Sequence, residues 1–276
     1  SWVEFSKKED GKNFYSQPPR KAYASQDGLC CVDTLHRVTI TGLEKNTTYF
    51  YRVLSQEVKE LLPYRPVLGN IVSTDIWEKP LTFTTLDGRQ ETLSIVMIND
   101  IHGKNDLQKK LLEMAPPQNV DMVVFCGDMC NYINKQSDIF TGFLDTSVGL
   151  FASRKPFVYV RGNHETRGAY ARNFFRYLAG PEGKFYYAFT YGPIRFIVLD
   201  SGEDKPDTDV EYSGLVDFDN YILEQKEWLA RELESPEFRA ASFRVVLSHI
   251  PFGKGSWYGS ERLRKQLLPL LESVRI

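Results

Sequence analysis

Four apolar runs that read as β-strands each end in a short polar cluster. This strand-then-cluster repeat constrains the fold more than any other feature of the chain. Ser94-Ile95-Val96-Met97-Ile98 leads into Asn99-Asp100-Ile101-His102, and Met122-Val123-Val124-Phe125-Cys126 into Gly127-Asp128-Met129-Cys130-Asn131. Pro156-Phe157-Val158-Tyr159-Val160 leads into Arg161-Gly162-Asn163-His164-Glu165, and Phe243-Arg244-Val245-Val246-Leu247 into Ser248-His249-Ile250-Pro251. Three of the 4 histidines stand in these clusters. Asp, His and Asn gathered at strand ends are what a metal site at the lip of a sheet requires.

The spaces between the first three clusters hold helical patterns, so the region reads as strands alternating with helices, an α/β layered domain. The spacing predicts helices over 107–112, 139–151, 170–178, 220–233 and 261–271. Tyr191-Gly192-Pro193 reads as the turn of a hairpin. The first 85 residues alternate differently. Val38 to Thr41, Tyr49 to Val53 and Leu81 to Thr85 are period-two segments separated by turn-rich stretches, the pattern of a β-sandwich. The polar connector Leu86 to Glu91 marks a boundary, giving domains 1–88 and 89–276. The acidic segment Gly202 to Asp219 reads as a solvated loop.

Asp100 and His102 are two apart, so in a continuing strand they face one side and can grip one ion. A donor set of carboxylate, amide oxygen and imidazole without thiolate suits Mn, Fe or Zn rather than a structural zinc. Asp128 is the natural bridge between two ions. Singly these residues have blander explanations: an Asp at a strand end is a cap, and His249 is a satisfied core histidine. Arg161, Lys254 and Tyr258 read as solvated loop residues, and Cys30, Cys31, Cys126 and Cys130 as free structural thiols. Together the four clusters outweigh the single-residue readings.

The set Asp100-x-His102, Gly127-Asp128-x-x-Asn131, Gly162-Asn163-His164-Glu165 and His249 resembles the calcineurin-like metallophosphoesterases. The segment His36 to Leu43 with Thr47 to Val53 looks like the fibronectin-III-like domain of purple acid phosphatases. The resemblance implies a layered α/β/β/α sandwich, cut short at its C-terminus, preceded by a fibronectin-III-like β-sandwich cut short at its N-terminus. It implies two divalent or mixed-valence metal ions held by Asp100, His102, Asp128, Asn163 and His249. His164 then contacts the phosphoryl oxygens or protonates the leaving alkoxide, and a hydroxide held by both ions attacks phosphorus in line.

Two departures stand out. The family's closing Gly-His-x-His is absent after His249, which reads as truncation. The tyrosine ligand of purple acid phosphatases is replaced by Asn131, and His102 stands where they have glycine, so no tyrosinate colour is expected. The implied reaction is hydrolysis of a small phosphorylated substrate, a phosphomonoester. Its alternatives are a phosphodiesterase or nucleotidase, or a non-catalytic binding protein if the native chain lacks the missing ligands. A net charge of -2 and a pI near 6.1 weigh against nucleic acid as partner. No apolar stretch is long enough to span a membrane, and the front-domain likeness implies an exported protein. Oligomeric state is not encoded in any readable feature.

Overall fold

The computed structural model describes residues 1–7, 11–87, 91–253 and 257–274. The chain divides into two compact units, Ser1–Gly88 and Arg89–Ile276; the junction expected at Gly88 and Arg89 lies outside the described residues.

The first unit is built on a five-stranded sheet. Strands β1 (Trp2–Ser6) and β2 (Arg20–Tyr23) are followed by a small β3–β4 hairpin (Ser25–Gln26 and Leu29–Cys30). The long β5 (Thr48–Glu60), β6 (Val67–Ser73) and β7 (Leu81–Thr84) complete it. The order is β2-β1-β5-β6, with β7 beside the start of β5 and β6 beside its end. Phe5, Tyr49 and Phe83 form its aromatic centre, with ring centroids 6.1 and 5.5 Å apart. Glu4 is buried in β1 and is matched by Arg52 at 3.0 Å and Lys21 at 3.3 Å, as a buried carboxylate must be.

Val38 to Thr41 departs from expectation. Its burial alternates as in a strand, yet it lies outside every strand. The Arg20 guanidinium takes the Thr41 and Gly42 carbonyls at 2.8 and 3.0 Å, so a side chain satisfies backbone groups that a ladder partner would have claimed.

The second unit contains two three-stranded sheets. In the first, β8 (Ile95–Ile98), β9 (Met122–Cys126) and β10 (Phe157–Val160) are parallel, in the order β10-β9-β8. In the second, β11 (Tyr187–Tyr191) and β12 (Ile194–Val198) form an antiparallel hairpin around Gly192-Pro193, and β13 (Phe243–Leu247) joins β12 in parallel. All five residues of β9 are buried, which is why it reads as an unbroken apolar run: a central parallel strand is covered on both faces.

Val123 and Phe125 pack outward against Leu112, Ile139, Phe143 and Phe151 of the helical segments. Ile197 and Leu199 pack outward against Ile222, Leu229, Leu263 and Leu271. The alternate residues Val124, Cys126, Phe196 and Val198 are also buried, so they fill the space between the sheets. Tyr187 and Tyr191 donate across that space to the Tyr159 and Asp121 carbonyls at 2.9 and 3.2 Å. The result is helix, sheet, sheet, helix, with each buried large side chain contributing about 1.5–3 kcal/mol of burial.

The helical expectations hold with local changes, except that 170–178 forms only a 3₁₀ turn at Ala171–Asn173 and one short helix at Phe175–Leu178. The run 136–152 includes π-helical turns at Phe140–Leu144 and Val148–Ala152. The last helix breaks in two at Leu267, ahead of Pro269, because proline cannot donate within a helix interior. The segment 202–219 is not a solvated loop throughout: Gly202 is buried, and Glu203 and Tyr212 are 1% and 8% exposed.

Candidate metal centre

Asp100, Asp128 and Asn163 each follow the carboxyl end of one strand of the first sheet, and His249 follows the adjacent end of β13 in the second. The convergence of Asp100 and His102 does not come from a continuing strand. Asp100, His102 and Asp128 all take left-handed backbone, with φ of 55°, 51° and 54°. Such conformations cost roughly 1–3 kcal/mol each in non-glycine residues and persist only where neighbours enforce them.

Here the enforcement is visible. The parallel ladder continues past the strands: Asp100 N–H donates to the Gly127 carbonyl at 3.1 Å, His102 N–H to that of Asp128 at 2.9 Å, and Gly103 N–H to that of Met129 at 2.8 Å. From below, the fully buried Glu165 carboxylate accepts from the N–H groups of Asp128, Cys130 and Gly162, all at 2.9 Å. Burial pushes the Glu165 carboxyl up, while the Cys130 and Asp128 N–H groups oppose it. A Cβ at Gly162 would lie 2.2 Å from Asp128 Oδ1, and one at Gly127 would lie 2.5 Å from the His249 ring. Both glycines are therefore fixed by the close approach of candidate ligands.

The ligand atoms fall into two groups, His102 with Asp128 and His164, and Asp100 with Asp128 and His249. Within each, they lie within 4.8 Å of one another. Asp128 belongs to both. Its Oδ2 is 3.3 Å from His249 Nε2 and 3.9 Å from the Nε2 atoms of both His102 and His164. His102 Nε2 is 3.7 Å from Asp100 Oδ1.

Backbone carbonyls set the histidine tautomers. His249 Nδ1 meets the Cys126 carbonyl at 2.7 Å and His164 Nδ1 meets that of Asn131 at 2.8 Å. A carbonyl only accepts, so each Nδ1 carries the proton and Nε2 faces the centre. Asn131 thus enters through its main chain. Asn163 is buried between Gly162 and His164, and its carbonyl accepts from the Thr166 N–H and hydroxyl.

Charge in the cluster calls for a cation. Burial works against a charged His249, but the Asp128 carboxylate, the Cys126 carbonyl and the charge on Asp100 override it and push the ring up to about 9. The bond to His249 and its charge, with the His164 N–H, hold the Asp128 carboxyl below its usual range despite its burial. His102 Nδ1 is buried with no hydrogen-bond partner, so this ring is not a satisfied core histidine. Two carboxylates and three imidazoles converging without thiolate fit divalent ions. By these distances His102 and His164 could hold one ion and Asp100 and His249 the other, with Asp128 reaching both. Cys126 and Cys130 take no part as thiolates: burial, with nearby carboxylates, pushes the first up to about 11 and the second further.

Sequence reading passed over the braces of this centre. Arg161 is not solvated: it pairs with the fully buried Asp200 at 2.6 Å and lies 4.3 Å from the Phe185 ring centroid. Arg167 is paired with Glu203. Tyr258 donates to Asp219, and Lys254 lies outside the described residues. The only sequence signal for the braces is a pair of arginines flanking Asn163-His164-Glu165, because the carboxylates that meet them come from after β12.

Comparison with known proteins adds the family context. The profile for calcineurin-like phosphoesterases matches residues 93–274, more than half of the chain, and that for the purple acid phosphatase N-terminal domain matches 1–85. A purple acid phosphatase from yellow lupin (Lupinus luteus) seeds superposes with a TM-score of 0.59 at 18% identity, over 92% of this chain and 47% of that one. The chain therefore spans about half the length of the lupin protein. A dimetal phosphatase from Danio rerio gives a TM-score of 0.46 at 17% identity, over 66% of this chain and 77% of that one. No curated protein sequence matches significantly.

Proposed function

Because the chain belongs to the calcineurin-like phosphoesterase family, we propose that it hydrolyses a phosphate ester, a phosphomonoester, using two metal ions at the Asp128 centre. The observation that carries this reading is that Asp128 is shared by two separate ligand groups, which is how one carboxylate holds a pair of ions. The match of residues 1–85 to the purple acid phosphatase N-terminal domain supports the monoester choice.

Two such ions, when bound, acidify a water nucleophile and neutralise charge on the transferring phosphoryl group. The chain's residues prepare that step. The left-handed turns at Asp100 and Asp128 and the Glu165 clamp fix the carboxylates before substrate arrives, so little reorganisation remains in the transition state. His164 presents Nε2 to the substrate because its Nδ1 proton is committed to the Asn131 carbonyl. From that nitrogen it can contact the phosphoryl oxygens, and it could hand a proton to the leaving alkoxide only when Nε2 as well as Nδ1 carries one.

The test is metal content by elemental analysis of the full-length gene product, followed by p-nitrophenyl phosphate turnover with added manganese. About two ions per chain together with turnover are expected. A protein that takes up no metal, or that takes it up and turns over no phosphate ester, would sink the reading.

A further inference from the structure

A cation stands at the edge of the anionic centre in a position the ligand set does not explain. Arg167 follows the turn His164–Thr166. Glu203 grips one edge of its guanidinium, with Nε donating to Oε1 at 3.0 Å and Nη2 to Oε2 at 2.8 Å. Nη2 also reaches Asp204 Oδ1 at 3.4 Å. Glu203 is 1% exposed and accepts two further bonds, from the Thr166 hydroxyl and from Tyr212 at 3.0 Å. Held by so many donors, the carboxylate fixes the guanidinium plane. The remaining nitrogen, Nη1, lies 3.2 Å from His164 Nε2, an atom of the metal centre, and the Arg167 side chain is 30% exposed.

Arg161 shows what a purely structural arginine looks like in the same fold. It is 14% exposed, paired with Asp200 and packed on Phe185. Arg167 is instead fixed at one edge by Glu203, while the other edge lies against His164 Nε2 and the side chain stays 30% exposed. Its outward bond goes to an imidazole nitrogen, which carries no negative charge, whereas a phosphoryl oxygen would accept a bond charge-assisted from both sides.

We propose that Arg167, positioned by Glu203, grips a terminal oxygen of the substrate's phosphoryl group and thereby selects a phosphomonoester over a diester. The proposal rests on the phosphoesterase reading above and deepens it. A monoester has three terminal oxygens and a dianionic charge, whereas a diester has two and a single charge. Once the ions are satisfied, only the monoester has a terminal oxygen left for Arg167. On substrate binding, that oxygen replaces His164 Nε2 as the acceptor of Nη1 and leaves Nε2 unencumbered.

The experiment uses the full-length gene product loaded with manganese. Calorimetry measures binding of inorganic phosphate, and kinetics give kcat and KM for p-nitrophenyl phosphate and bis-p-nitrophenyl phosphate. In Arg167→Met, phosphate affinity should fall at least about tenfold and monoester kcat/KM about a hundredfold, as for loss of one preorganised donor. Diester kcat/KM should stay within about threefold, because that substrate never engaged the group. Arg167→Lys keeps the charge without the fork and should lose about tenfold on the monoester; it carries the test if the Met variant fails to fold. Glu203→Gln should move both quantities the same way by less. Manganese content should match wild type in every variant, since no ligand is removed.

Equal losses on both esters, or unchanged phosphate affinity, would reduce Arg167 to a latch and overturn the proposal. Wild-type protein that turns over phosphate esters while the variants behave like it overturns this inference alone. Wild type that neither binds phosphate nor turns over either ester overturns the phosphoesterase reading along with it.

Discussion

The two sheets of the second unit contribute to the centre in different ways. The first delivers one polar cluster per strand: three consecutive parallel strands, β8, β9 and β10, each end in candidate ligands. The second delivers a single candidate ligand, His249, and two buried carboxylates, Asp200 and Glu203, that pair with arginines following β10. The first sheet supplies most of the candidate ligands, and the second supplies one of them together with carboxylates that pair with the neighbouring arginines. Parallel strands that all run toward one edge put their loops together there. The neighbouring sheet faces that edge and is free to supply counter-charges.

The largest effect should come from breaking the division at the shared carboxylate. Asp128→Ala should remove both ions by elemental analysis and lower turnover at least about a thousandfold, since every other ligand acts through the pair. His249→Ala should remove one ion only. If both variants lose the same number of ions, the second sheet is an equal contributor and the comparison fails.

A smaller loss should follow from cutting a brace. Arg161→Met leaves Asp200 as an uncompensated buried charge, and removing one partner of a buried pair destabilises by about 3–5 kcal/mol. Urea denaturation would measure it, with a double-mutant cycle including Asp200→Asn to separate the pair from the charge left behind. Because Tyr221 also donates to Asp200 at 2.9 Å, part of the loss should remain in the cycle. A change below about 1 kcal/mol would mean that the pair is dispensable and that the sheets are held by apolar packing alone.

What sequence could reveal follows the same divide. The first sheet was legible because each strand is a short apolar run and its cluster lies next to it in the chain, so adjacency in sequence is adjacency in space. Layered fold class, helices and hairpin followed from the same periodicity. The left-handed turns at Asp100, His102 and Asp128 were not legible, because they are imposed by bonds to Gly127, Asp128 and Glu165 that no local pattern records. The braces were hidden for another reason. Glu203 lies 36 residues from Arg167 in the chain, in a segment whose acidity looks like solvation. Val38 to Thr41 shows the converse error, since alternation without a free ladder partner does not make a strand.

The mildest test addresses the Glu203 brace through pH. Burial raises the Glu203 carboxyl, but the bonds from Arg167, Thr166 and Tyr212 outweigh it and hold it below the ordinary value of 4.5. A folded-state value below the unfolded one means that the unfolded chain binds the proton more readily. The contribution is therefore fully present above pH 4.5 and is lost as pH falls from there through the folded value. Glu203→Gln should cost about 1–2 kcal/mol at neutral pH, a figure kept low because the Arg167 partner is partly exposed to solvent. The gap between variant and wild type in chemical denaturation should narrow only below that pH. Since Glu203 touches no candidate ligand directly, metal content should not follow the same curve. A gap that narrows with metal loss instead would place Glu203 among the groups that hold the ions and erase the line between chemistry and brace.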